Sequence, residues 1–431
     1  MANNTIYAFK PVNVGRWVLW SLFALVLIMA PQVFTSGTSL TMLTKMGIGI
    51  IICLSYNMLL GQGGMLSFGH AVYSGLGAFA AVHALVRVSD GLWNLPVSLV
   101  PMVGGLGGLI VAALFGSVTT KKSGTTFAMI TLGIGAMVFS MSLMLPEFFG
   151  GEGGISANRM VGEPVWGITF GPQIQVYYLI AFYCFICTVL MFAFTQTPLG
   201  RMLNAVRDNP ERVEFIGYDT QRVRYIAFMI AGFFAGIGGG LHAINDEIVT
   251  AEVVGAEYSG MYLLFTFLGG ALFFFGPIIG AVLMVFATVL LHELTNAWML
   301  YLGIIFLAMV MYAPGGIASL IMMNVRVAAY GLLRRLWVAY LALFGTVIPL
   351  LLGITVMIEM VYHMQMNVGM GPEMTFLGVT LRVDAVDAWV GALFLTLTGA
   401  ALFELARREF VHQWSDVQEE IEAEQLRRQM H

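Results

Sequence analysis

What most limits the fold of this chain is how far it runs without charge. Residues 46–86, 91–120, 164–200, 258–292 and 294–325 contain no Asp, Glu, Lys or Arg. About 20 mainly apolar residues cross a roughly 30 Å hydrocarbon core, and a segment in lipid must satisfy its own backbone hydrogen bonds, as a helix does. The runs therefore predict an all-α, polytopic membrane helix bundle. With 59% apolar and 10% charged residues in a chain of 431, no long polar stretch is left over for a sizeable soluble domain.

Spans are expected near 17–34, 41–60, 66–86, 96–118, 125–145, 175–195, 225–245, 259–275, 278–294, 297–313, 336–358 and 385–405, about twelve in all. They divide the chain into a tail and first span (1–35), a core (36–325), two additional spans (326–406) and a charged helical tail (407–431). The pair at 259–275 and 278–294, joined by FFFGP, reads either as two short spans or as a re-entrant element. Lys10 and Arg16 precede the first apolar stretch, Trp17 to Ala30, and no small-x-small cleavage site follows cleanly, so a retained span is expected rather than a signal peptide.

Cytoplasmic loops collect Lys and Arg. With a cytoplasmic N-terminus, the twelve spans place Lys10, Arg16, Lys121, Lys122, Arg201, Arg207, Arg212, Arg222, Arg224, Arg326, Arg334, Arg335, Arg407, Arg408, Arg427 and Arg428 inside. Only Lys45, Arg87, Arg159 and Arg382 fall outside. Both termini are thus expected in the cytoplasm. On the outer side lie a Gly- and Pro-rich loop, 146–174, and a short loop, 246–257, whose Asp246, Glu247, Glu252 and Glu257 stand without any Lys or Arg and suit a docking surface.

Residues 197–224, TPLGRMLNAVRDNPERVEFIGYDTQRVR, form a charged island with five of the chain's twenty Lys and Arg residues. Arg201 to Asp208 can form two turns with Met202, Leu203 and Val206 on one side. Asn209-Pro210 then caps a second short helix that Gly217 ends. Such an element lies on anionic lipid or inserts into a groove on a partner. Asp208, Glu211, Glu214 and Asp219 among the arginines favour a partner of mixed charge.

Residues 61–70, GQGGMLSFGH, interrupt a charge-free run of 41 residues, about 60 Å of helix and twice the hydrocarbon core. A turn must fall there. Ser67, His70 and Ser74 at i, i+3 and i+7 are expected on one face of the next helix, with Gly77 and Ala81 continuing a small-residue stripe. With Asn57 and Gln62 they make a candidate translocation path, and for His70 a hydrogen bond across a helix interface is the simpler role. Gly232, Gly236 and Gly240 read as a stripe for close helix packing.

Cys53, Cys184 and Cys187 fall in apolar runs and read as packing residues, including the C-x-x-C at 184–187. No G-x-x-x-x-G-K-[ST], no H-E-x-x-H and no G-x-S-x-G on a strand-turn-helix occurs. Neither His70 nor His242 is read as having an acid-base partner at helical spacing, so no embedded enzyme is expected. Acidic relays are absent from span centres, with Glu293 and Glu404 near span ends, so energy for a pump would enter from another chain.

Four blocks resemble one known family. LSYNMLLGQGGMLSFGHAVYSGLGAFAA, TTFAMITLGIGAMVFSM with GGEGGISA, PLGRMLNAVRDNPERVEFIGYDTQRVRYIAFMIAGFFAGIGGGLHA, and FLGGALFFFGPIIGAVL with YAPGGIASL are similar to the LivM-like permease subunits of branched-chain amino acid type ABC importers. The resemblance covers roughly residues 40–322 and implies an inner-membrane permease in bacteria that moves a branched-chain amino acid or similar small polar solute inward. It implies partners: two cytoplasmic ATPases carrying the ATP and Mg, a paralogous permease and a soluble binding protein outside, with membrane lipid around it and no nucleic acid or cofactor in this chain. Gly200, Arg201, Ala205, Arg207, Asp208, Asn209, Glu211 and Gly217 would form the ATPase-coupling element. A stand-alone channel or secondary carrier for urea or an amide is the alternative that the coupling segment argues against. Two departures stand out: Gly315 follows Pro314 where the family usually has Arg, and about 100 residues follow the closing block.

Overall fold

The computed structural model describes residues 14–161, 169–366, 371–376 and 378–430. Lys10 and residues 162–168 of the outer loop lie outside the described residues. Helices follow in the order α1 (Val14–Val33), α2 (Gly37–Asn57), α3 (His70–Ser89), α4 (Val100–Thr119), α5 (Gly124–Met144), α6 (Pro146–Phe149), α7 (Gln173–Gln196), α8 (Pro198–Asp208) and α9 (Pro210–Phe215). They continue as α10 (Thr220–Asp246), α11 (Ala256–Gly269), α12 (Gly276–Val285), α13 (His292–Leu294), α14 (Trp298–Tyr312), α15 (Gly316–Ala329), α16 (Leu333–Met366) and α17 (Val386–Met430). Among the described residues ten helices are long and apolar enough to cross a membrane, or eleven if the bent pair α14 and α15 is one span.

The difference from the expected twelve lies at α11. Its 14 residues rise only about 21 Å, because Gly270, at φ +114°, ends the helix and turns the chain straight into α12. The second member of that pair is a full-length segment, carried on from α12 through a π-helical stretch to α13.

The chain divides into two compact units, Met1–Leu291 with Phe306–Ala318, and His292–Ile305 with Ser319–His431. In the first, the spans through α2, α3 and α10 are 78%, 72% and 72% buried, against 6% for α1. The former are the core, and α1 turns Trp17, Leu19, Leu22 and Leu25 outward, as a lipid-facing helix does. Small residues set the closest approach in the core. A Cβ at Gly104 would stand 2.9 Å from the α-carbon of Gly240, and one at Gly236 only 3.0 Å from that of Gly108. The expected glycine stripe on α10 therefore meets a second stripe on α4, backbone against backbone.

At the end of this unit opposite α8 and α9, the two loops read separately from sequence are joined. β1 (Ile155–Ser156) pairs antiparallel with β2 (Ile248–Val249). The Arg159 guanidinium donates to the carbonyls of Asn245 at 3.3 Å and Gly171 at 3.0 Å, and its backbone N–H to Glu247 Oε1 at 2.9 Å. Glu247 is therefore engaged in the clasp, while Glu252 and Glu257 remain exposed.

In the second unit, α16 and α17 are linked by the antiparallel strands β3 (Glu373–Phe376) and β4 (Val379–Arg382). The charged tail continues α17 without a break. Val417 and Ile421 are buried with Val327 and Leu336, and Arg335 pairs with Glu420 at 2.6 Å, so the tail is packed along one face. Glu359, an acid within the long apolar helix α16, accepts hydrogen bonds from Thr295 at 2.5 Å and Tyr301 at 2.9 Å.

Candidate functional site

The charged island folds as a capped helix-break-helix. Thr197 opens α8, its hydroxyl accepting from the Gly200 N–H at 3.1 Å with Pro198 in the first turn. Asn209 repeats the device for α9, accepting from the Arg212 N–H at 3.0 Å with Pro210 next. Gly217, at φ +90°, breaks the chain out of α9, and Asp219 caps α10 by accepting from the N–H groups of Gln221 and Arg222. Leu203 and Val206 are buried and Met202 is half-buried, the apolar face expected. Gly200 is buried because the α-carbon of Thr195 would stand 2.9 Å from any Cβ there.

Of the expected coupling residues, Arg201, Ala205, Asp208, Glu211 and Gly217 are exposed and Asn209 is half-buried in its cap. Arg207 faces the bundle. Its guanidinium donates to the Gly61 carbonyl and pairs with Asp208 at 2.9 Å, and its stem lies over Gly64, where a Cβ would stand 2.8 Å from Arg207 Cγ. One side chain thus ties the island to the end of α2. Sequence reasoning missed Phe215, Ile216 and Tyr218, which are 88%, 67% and 51% exposed at the break. Three large apolar residues flanking a helix-ending glycine were the available signal.

The segment 61–70 departs from expectation. Helix α2 runs on through a π-helical stretch, Met58–Gln62, and α3 begins only at His70. Ser67 therefore does not share a helix face with His70 and Ser74. The cause is backbone: Gly64 sits at φ +63°, Tyr56 OH donates to the Ser67 carbonyl at 2.8 Å, and the Phe68 N–H is taken by Thr131 Oγ1 at 3.1 Å. Because His70 Nε2 meets Ser55 Oγ at 2.9 Å, seven residues before Gln62, the chain doubles back by about 10 Å and α3 starts inside the bundle. Ser67 and His70 are fully buried there, and Asn57 Oδ1 and His70 Nδ1 have no hydrogen-bond partner among the described residues. Gln62 is half-buried.

Of the five residues proposed for the path, Ser74 lines a cavity, a narrow one of about 10 Å³ beside Gly75 and Gly239, room for about one water. That cavity shares Ile52, His242, Tyr258 and Tyr262 with a larger recess of about 160 Å³ between α2, α10, α11 and α12. Lys45, Asp246 and Thr288 bring polar groups to the larger recess, and Ile48, Met261, Met284 and Val285 give it an apolar wall. His242 does have an acid at helical spacing, since Nε2 lies 3.5 Å from Asp246 Oδ2 one turn on. These residues come from four elements, so no local pattern announced them.

Cys53, Cys184 and Cys187 are buried free thiols. Among the described residues no group of three or more His, Cys, Asp and Glu could hold a metal ion.

Many apolar helices, a core of backbone-close packing and a capped, charged hairpin tied to one core span define a multi-pass membrane protein. The family model for the branched-chain amino acid transport system permease component matches residues 38–314. The chain belongs to that family. It is 28% identical over 324 residues to the high-affinity branched-chain amino acid transport system permease protein LivM of Salmonella typhimurium, covering 69% of this chain and 74% of that one. It is 27% identical over 335 residues to the LivM of Escherichia coli K12, covering 71% and 77%. A probable branched-chain amino acid transport permease protein LivM of Methanocaldococcus jannaschii is 24% identical over 319 residues, covering 63% and 90%. No solved structure matches significantly. The chain is accordingly a transport subunit of an ABC importer and not an enzyme, and the family implies ATPase and substrate-binding partners.

Proposed function

We propose that this chain is one half of a permease pair in a bacterial inner membrane that imports an amino acid with a small apolar side chain. Its N-terminus and the α8–α9 hairpin, separated by six spans among the described residues, face the cytoplasm. A second, paralogous permease completes the pair, two ATPases bind ATP and Mg and seat the two hairpins, and a soluble binding protein delivers solute from outside. The observation that carries the reading is the hairpin. Its C-terminal tip, where α9 breaks into α10, presents Phe215, Ile216 and Tyr218 to solvent, an aromatic-apolar anchor of the kind that dominates docking energies. Its central break is tied through Arg207, at the end of α8, to Gly61. A closed ATPase dimer shifts the permease only if it prefers one of its conformations, and a stiff, capped hairpin fixed to a core span transmits that preference.

Co-purification tests the reading. The tagged permease, expressed with its neighbouring transport genes, should bring down both ATPases. Phe215→Glu should reduce the recovered ATPase by about tenfold or more, the scale of a lost interface anchor, while the permease stays in the membrane. Equal recovery from Phe215→Glu would remove the tip from the docking surface, and a chain that never retains an ATPase would favour a channel or secondary carrier.

A further inference from the structure

The recess between α2, α10, α11 and α12 holds two opposite charges, Lys45 and Asp246, neither of which pairs with a fixed charge of opposite sign among the described residues. Lys45 lies in the third turn of α2, makes no ion pair with any described residue, and its side chain is open to the recess mouth. Asp246 is the last residue of α10; its Oδ1 accepts from Asn245 Nδ2 at 2.5 Å, and its ion-pair partner among the described residues is a histidine, His242, at 3.5 Å. Ionisable side chains within spans face cavities and mark solute pathways, because an unpaired charge in lipid is costly. The same recess is lined by the apolar side chains of Ile52, Met284 and Val285. The volume, about 160 Å³, falls below the roughly 300–1,000 Å³ of pockets that enclose drug-sized ligands.

We propose that this recess is a binding station in the permease itself for a zwitterion with a compact apolar side chain. Asp246 receives the ammonium group, Lys45 the carboxylate, and Ile52, Met284 and Val285 the aliphatic part. A lining with one positive and one negative charge matches a solute that carries both; an amine or an acid leaves one protein charge unmatched and a neutral amide leaves both, which selects against each. The narrow extension toward Ser74 continues the route deeper between α3 and α10. This inference rests on the amino-acid import reading above and adds the place and the groups that recognise the solute.

The test is ATP-driven uptake of tritiated leucine into proteoliposomes holding the assembled importer. Lys45→Met and Asp246→Asn should each lower uptake by about tenfold or more, the scale of a lost charge-assisted bond, while Lys45→Arg and Asp246→Glu stay within about threefold of wild type. Lys45→Gln, which keeps length and polarity without charge, carries the same test if Lys45→Met does not assemble. Wild-type uptake in the charge-removing variants of an importer that does carry leucine overturns the binding station alone. A wild-type complex that hydrolyses ATP yet imports no amino acid overturns the import reading, and the station falls with it.

Discussion

Arg207→Glu is expected to abolish ATP-driven uptake, by about a hundredfold, while ATPase subunits still co-purify with the permease. The wild-type guanidinium donates to the Gly61 carbonyl and leans on Gly64, at the point where α2 ends and the chain doubles back toward α3. A hydrogen bond to a charged group contributes about 1.5–3 kcal/mol. Reversal of the charge removes it, sets a carboxylate against a carbonyl, and places it beside Asp208, which pairs with Arg207 in the wild type. The docking tip at Phe215 to Tyr218 is a separate surface and remains. Uptake and co-purification measured on the same preparations check the result. If both fall together, Arg207 contributes to ATPase docking or folding rather than linking the hairpin to the core.

Gly236→Leu is expected to prevent assembly of the bundle. A Cβ at 236 would stand 3.0 Å from the Gly108 α-carbon and 3.1 Å from the Gly104 carbonyl carbon, and backbone cannot swing aside as a side chain does. Overpacking a core costs about 1–3 kcal/mol even when side chains can yield, so α4 and α10 would have to part. Gly133→Leu on α5, where a Cβ would meet nothing within 4 Å, is the matched control and should purify as wild type. Size-exclusion profiles in detergent distinguish the two. A monodisperse Gly236→Leu protein would show that this crossing tolerates separation.

The sequence was most readable where one residue imposes one local geometry. Asn209 before a proline, and Gly217 after an apolar residue, marked the two ends of α9 because caps and left-handed breaks are decided within a turn, whereas the Thr197-Pro198 start of α8 was passed over for Arg201. Gly232, Gly236 and Gly240 announced close packing for the same reason, although the partner stripe on α4 did not identify itself. The count of about twelve differs from the structure at α11, part of the pair the sequence left open as two short spans or a re-entrant element, because hydropathy continues smoothly through Gly270 and only the backbone turn shows the stop. Ser67, His70 and Ser74 kept helical spacing by coincidence, since the Ser67 carbonyl and the Phe68 N–H are taken by Tyr56 and Thr131 outside any helix. The recess was invisible for a tertiary reason. Lys45 counted as one outer charge and Asp246 as one residue of an acidic loop, and only the packing of α2 against α10 makes them face one space.

The central claim, that a separate motor drives this permease, is tested most directly by leucine uptake into proteoliposomes assembled with and without the ATPases. With ATP enclosed and binding protein outside, uptake should require both ATPases and cease when ATP is replaced by ADP. Equal uptake by the purified chain alone, indifferent to ATP, would contradict the account.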